Sequence, residues 1–152
     1  MRVRHVLDLK PAEIVKDVEK LKVLFDFYKA RYPGGDFWII NTTPHDIRVG
    51  REIVKKAVSQ VCSIFTGVPV YVPVEKANGI KFVAVDYVPL FKEYRDNIVK
   101  ALEEVNTYAL GSIITIDAFK SLRVVGLSKG IGGKRRSGIS MDTFIVAKEV
   151  YL

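Results

Sequence analysis

Phe37-Trp38-Ile39-Ile40-Asn41-Thr42-Thr43-Pro44-His45-Asp46-Ile47-Arg48 (FWIINTTPHDIR) passes without a linker from a dense apolar block into a compact polar cluster. The apolar part, residues 37–41, follows the breaker Pro33-Gly34-Gly35 and reads as a short buried strand. The polar part reads as the start of a helix. Thr43 is placed as N-cap, Pro44 as the first helical residue, and Asp46 stands three after the cap. A strand running straight into a helix is the repeating step of an α/β sheet.

The flanking sequence extends that step in both directions. Residues 2–8 read as a strand. Ile14, Val18, Leu21, Phe25 and Tyr28 recur at helical spacing behind Pro11, which predicts a helix over about 11–32. A second helix is predicted over about 44–66 from Ile47, Val54, Val58, Val61 and Phe65, with Gly50 as its weak point. VPVYVPV at 68–74 reads as a strand whose prolines mark an edge or its ends. Residues 75–79 form a turn and 81–87 another strand. A third helix is predicted over about 90–105, then strands at 112–117 and 122–127, with 143–150 open between strand and helix. The expected architecture is one α/β domain, a layered mixed sheet with extra C-terminal strands over 1–152, in which 112–152 forms a small basic appendage.

The totals bound the functional classes. The chain has 152 residues, enough for a core, and no apolar run near the roughly 20 residues that a bilayer crossing needs. The first residues lack a signal-peptide core, so the expected location is cytoplasmic, with no membrane partner. A lone Cys62 excludes an internal disulfide and, lying on an apolar stripe, reads as a small buried hydrophobe. With two histidines and one cysteine no His/Cys metal site is expected, and no cofactor is called for. Asp86, Asp117 and Asp142 are the carboxylates left for Mg²⁺. A single glutamine among many Ile, Val, Lys and Glu fits a thermophilic source.

The net charge of +7 is uneven. From residue 118 onward seven basic residues face two acidic ones, a net +5, which leaves +2 for the first 117 residues. The excess gathers in LSKGIGGKRRSGIS (127–140), where Lys129, Lys134, Arg135 and Arg136 stand among glycines that permit close backbone approach to phosphate. An anionic partner, nucleotide or nucleic acid, is the expectation. Read instead as helix, turn and helix, 113–128 resembles a winged-helix segment with KRRSG as the wing, the form a nucleic-acid-binding regulator would take.

Helix initiation accounts for Thr43, Pro44 and Asp46 and leaves Asn41, Thr42, His45 and Arg48 over. At the carboxyl end of a strand those four, with Thr43, offer an amide, two hydroxyls, an imidazole and a guanidinium to a phosphate or a ribose. His45 is the candidate catalytic residue, able to take a proton from a 2′-hydroxyl.

From residue 7 to 74 the chain resembles the second half of CRISPR-associated Rossmann-fold (CARF) domains. The matching residues are Asp36, the strand over 37–40, Asn41, Thr43, the helix expected to follow, and Val70-Tyr71-Val72. Pro44 and His45 replace the glycines usual after the Thr, and Arg48 stands one place late. The resemblance implies binding of a cyclic oligoadenylate across a homodimer, with Asn41 and Thr43 touching the ligand, and ring cleavage by a metal-independent ribonuclease activity in some members. NTTPH is also similar to an Asn-Leu-Thr-Pro-His signature of small phage and archaeal proteins, which implies no function.

Overall fold

The structure is a computed structural model that describes residues 3–127 and 142–151. Its elements in order are α1 (Val3–Leu7), α2 (Pro11–Ile14), α3 (Val18–Tyr28), β1 (Ala30–Arg31), β2 (Trp38–Asn41), β3 (Ile47–Val49), β4 (Glu52–Val54), α4 (Ser59–Ile64), β5 (Gly67–Ala77), β6 (Ile80–Pro89), a 3₁₀ turn (Lys92–Tyr94), α5 (Arg95–Glu104), β7 (Thr107–Leu110), α6 (Ile113–Phe119), β8 (Val124–Leu127) and β9 (Phe144–Ile145). This is the mixed α/β architecture that the sequence predicts.

Five strands form the central sheet in the order β1-β2-β7-β8-β9. The inner three are parallel, Ile39 lying beside Tyr108 and Ala109 beside Val124, while β1 and β9 run antiparallel at the edges. Side chains alternate along these strands, as a pleat requires. Ile40, Ala109 and Val124 enter one core, into which every helix sends residues, among them Leu21, Phe25, Phe65, Leu102 and Phe119. Ile39, Leu110 and Val125 enter a second core on the opposite face, closed by Val49 and Val54 and by the aromatic side chains of Tyr32, Phe37, Tyr108 and Phe144. The helices therefore gather on one face and the β3–β4 hairpin covers the other. The parallel strands progress without a reversal of order, unlike a doubly wound sheet.

Several expectations are corrected. No helix begins at Thr43, and of the helix expected over 44–66 only α4 forms. Residues 46–54 instead alternate, with Ile47 and Val49 facing Val54 and Glu52 across a two-residue loop. Gly50 opens that loop at φ +61°, as a Gly-first hairpin turn requires. The helix expected over 11–32 breaks in two because the Asp17 carboxylate caps α3, accepting from the Glu19 N–H at 2.9 Å. The helix over 90–105 shortens to α5. The N-terminal strand is helix α1, and the strand expected at 112–117 is helix α6. There Ser112 caps the first turn by accepting from the Thr115 N–H (3.3 Å), and Thr115, Ile116, Ala118 and Phe119 turn one face inward. Tertiary burial outweighs the β-preference of its isoleucines. The winged-helix alternative fails at Val124–Leu127, which is a sheet strand.

Candidate functional site

The carboxyl ends of β2 and β7 lie side by side, Asn41 opposite Leu110. The segments that leave them, 42–47 and 111–115, form two walls of a cleft of about 710 Å³. The third wall is the end of α4 and the root of β5, with Cys62, Phe65, Thr66 and Gly67. Thr42, Thr43 and His45 thus line one cleft.

Their roles differ. Asn41 is 3% exposed and is wholly engaged within the chain. Its amide nitrogen donates toward the carbonyls of His45 (2.8 Å), Lys55 (3.1 Å) and Val54 (3.2 Å). Its carboxamide oxygen accepts from the Thr43 N–H (2.9 Å) and hydroxyl (2.8 Å). Asn41 holds the loop against β4 and does not line the cleft; it borders a separate hollow with Ile40, Val54 and Lys55. Thr42 is also buried, its hydroxyl donating to the Leu110 carbonyl at 2.9 Å. Thr43 links the loop to the chain beyond β4, its carbonyl accepting from the Ala57 N–H at 2.9 Å. Asp46, expected in a capping box, accepts from the Lys56 N–H (2.9 Å) and so closes the base of the β3–β4 hairpin.

His45 is exposed on the cleft rim, and its imidazole has no hydrogen-bond partner among the described residues. Arg48 is exposed on β3 and faces a second hollow of about 630 Å³, lined also by Leu110, Gly111, Ile116, Gly126, Leu127 and Ile145. Ile47 and Ser112 belong to both hollows, so the two open on either side of one ridge. Lys129, Lys134, Arg135 and Arg136 lie outside the described residues. The described chain stops at Leu127, on the wall of the Arg48 hollow, and resumes at Asp142.

Sequence reasoning missed Ser112, Thr115, Thr66 and the placement of Cys62. The Thr115 hydroxyl donates to the Phe65 carbonyl (3.0 Å) and the Thr66 hydroxyl to that of Cys62 (2.8 Å), which fixes two walls to each other and to α4. Cys62 is half-buried on the cleft wall, and burial raises its thiol pKa above the ordinary value. The available signal was Ser112-x-x-Thr115, a helix cap hidden by the β-branched run that follows it. Gly111 is required here. A Cβ on it would stand 2.9 Å from Thr115 Cγ2 and 3.1 Å from Thr42 Oγ1.

Of the three carboxylates considered for Mg²⁺, Asp142 accepts from the Thr143 hydroxyl at 2.9 Å, and the other two face one cation. Asp86 and Asp117 both approach Lys120 Nζ, at 3.3 and 3.9 Å, so an ammonium already stands between them. Among the described residues no group of three or more His, Cys, Asp or Glu side chains gathers as a metal site requires. No described helix is long and apolar enough to cross a membrane. Comparison with family models, curated proteins and solved structures finds no match to the chain.

Proposed function

We propose that the protein binds a small phosphate-bearing ligand of the nucleotide class in the cleft between 42–47, 62–67 and 112–115. The observation that carries this reading is His45, whose imidazole has no hydrogen-bond partner among the described residues and stands at the mouth of a cleft of about 710 Å³ at the carboxyl ends of two parallel strands. That is the carboxyl edge of the parallel strands, where the departing loops and α4 rather than a reversal of strand order build the cleft, and the volume lies within the range of small-molecule sites. His45 is the group available to donate to a phosphate or to exchange a proton with a ribose hydroxyl. Arg48, across the ridge, is the nearby guanidinium for a second phosphate.

The resemblance to CARF domains makes cyclic oligoadenylate the first ligand to test, cleavage of the ring the activity to look for, and a homodimer the expected assembly. In this reading Asn41, Thr42 and Thr43 shape the loop, and His45 and Arg48 touch the ligand. Titration calorimetry with cyclic and linear oligoadenylates is the test. His45→Ala is expected to weaken binding about 10- to 100-fold, the effect of losing one charge-assisted hydrogen bond. Equal affinity for wild type and His45→Ala sinks the proposal.

A second reading, nucleic-acid binding through the basic residues, draws on the unequal charge. Neutralising Lys134, Arg135 and Arg136 together should then reduce the salt slope of DNA or RNA binding by about three phosphate contacts. An unchanged slope removes it.

A further inference from the structure

Among the described residues β5 and β6 pair only with each other, and most of the hairpin is exposed. A solitary two-stranded ribbon is marginal by itself, and charged side chains usually protect an exposed one. This ribbon carries apolar side chains on both faces. Tyr71, Val74, Ile80, Phe82, Val83 and Val85 are 50–65% exposed.

Its two edges are not equivalent. Asn78 and Gly79, at φ +53° and +74°, make a two-residue turn that sets Ala77 and Ile80 as a hydrogen-bonded pair. The register, with its one irregularity between Pro73 and Glu75, then puts Pro73–Val83, Pro69–Tyr87 and Gly67–Pro89 at non-bonded positions. The next pair out agrees, the Leu90 N–H donating to the Thr66 carbonyl at 2.9 Å. At non-bonded positions the N–H points away from the partner strand, so Pro69 and Pro73 remove two donors from the outer edge of β5 without weakening the hairpin. Lys81, Val83 and Val85 keep theirs on the outer edge of β6. One edge is closed to further pairing and one is open.

We propose that two copies of this chain associate through this hairpin, β6 of one pairing antiparallel with β6 of the other about a two-fold axis. Like-with-like contact is what closed two-fold assembly requires, and strand addition to an open edge supplies the main-chain bonds. Of the exposed apolar residues, Ile80, Phe82, Val83 and Val85 stand on β6 itself, so the pairing brings them beside their counterparts across the seam while the new ladder supplies the main-chain bonds. The ribbon itself supports this inference, which goes beyond the ligand proposal and does not rest on it.

Sedimentation equilibrium of the whole protein tests the pairing. A dimer at micromolar concentration is expected for the wild type. Val83→Pro, which removes an outward N–H from β6, and Val83→Lys with Val85→Lys, which leave the backbone intact, should each raise the dimer dissociation constant more than about a hundredfold. Tyr71→Pro, the matching change on the closed edge, should leave that constant within a few-fold. Circular dichroism and the denaturation midpoint verify that each variant is folded. A wild type that stays monomeric overturns the proposal, as does a dimer that survives the Val83→Lys, Val85→Lys double change. Dissociation of the dimer by Tyr71→Pro alone overturns the choice of edge.

Discussion

Asn41 and Thr43 are joined twice, the Asn41 carboxamide oxygen accepting from both the N–H and the hydroxyl of Thr43, at 2.9 and 2.8 Å. The other end of the same amide faces three backbone carbonyls, two of them from residues 54 and 55. One buried side chain therefore fixes the loop after β2 to the end of β4. Asn41→Ala strands those carbonyls and frees the loop, at a cost of about 2–4 kcal/mol in denaturant unfolding. His45→Ala, on an exposed side chain, should stay within about 0.5 kcal/mol. If Asn41→Ala proves as stable as wild type, the amide is not the fastener of this loop.

How much of this was legible follows from which signals are local. The buried strand 38–41 and the hairpin halves around Asn78-Gly79 were readable, because alternation and turn chemistry act within a few residues. The β3–β4 hairpin was not, because Ile47, Val54, Val58 and Val61 also fit a helical period. Only the contact of Val49 and Val54 with Leu110 and Val125 decides against it. β7, the centre of the sheet, is as short as β2 but follows α5 with only Val105 and Asn106 (φ +48°) between them, so no breaker like Pro33-Gly34-Gly35 sets it off. Thr43 was legible as a loop former but not for what it forms. Its partner Asn41 faces residues 13 and 14 places along the chain, a separation that no local pattern reports.

Two threonines on the cleft walls differ in what they leave behind. Thr42 Oγ1 donates to the Leu110 carbonyl, which also accepts from the Thr42 N–H at 3.0 Å. Thr115 Oγ1 donates to the Phe65 carbonyl across elements far apart in sequence. Thr42→Val should therefore cost less than about 1 kcal/mol, and Thr115→Val about 1–2 kcal/mol, since only the second strips a buried carbonyl of its donor. Urea midpoints of the two variants give the comparison, and the reverse order contradicts it.

Asp86 ties the root of the hairpin to the end of α6. The Tyr87 N–H (2.9 Å) and then the Lys120 ammonium (3.3 Å) hold its carboxyl below the ordinary 3.8. A depressed folded-state value means stability that is present above 3.8 and lost as pH falls through the lowered value. Asp86 is exposed, so the effect is small. A carboxyl titration followed by NMR should place Asp86 below 3.8. Lys120→Met should move the midpoint up only part of the way, because the Tyr87 N–H remains. A midpoint at or above 3.8 in the wild type denies the contact.

Cys62 reports on the cleft directly. Its sulfur is half-buried on the wall, 3.9 Å from the Ala57 carbonyl, and burial raises its pKa above the ordinary 9.0. Thiolate is the reactive form, so at pH 8 a raised pKa and restricted access act in the same direction. Alkylation of the folded protein should run at least about tenfold slower than in denaturant. A ligand seated against Thr43, Thr66 and Ser112 covers the same wall and should slow it further, in proportion to occupancy. Saturating oligoadenylate that leaves the rate untouched while calorimetry reports binding would place the ligand elsewhere on the molecule. Modification at the denatured rate would show that the wall is open to solvent.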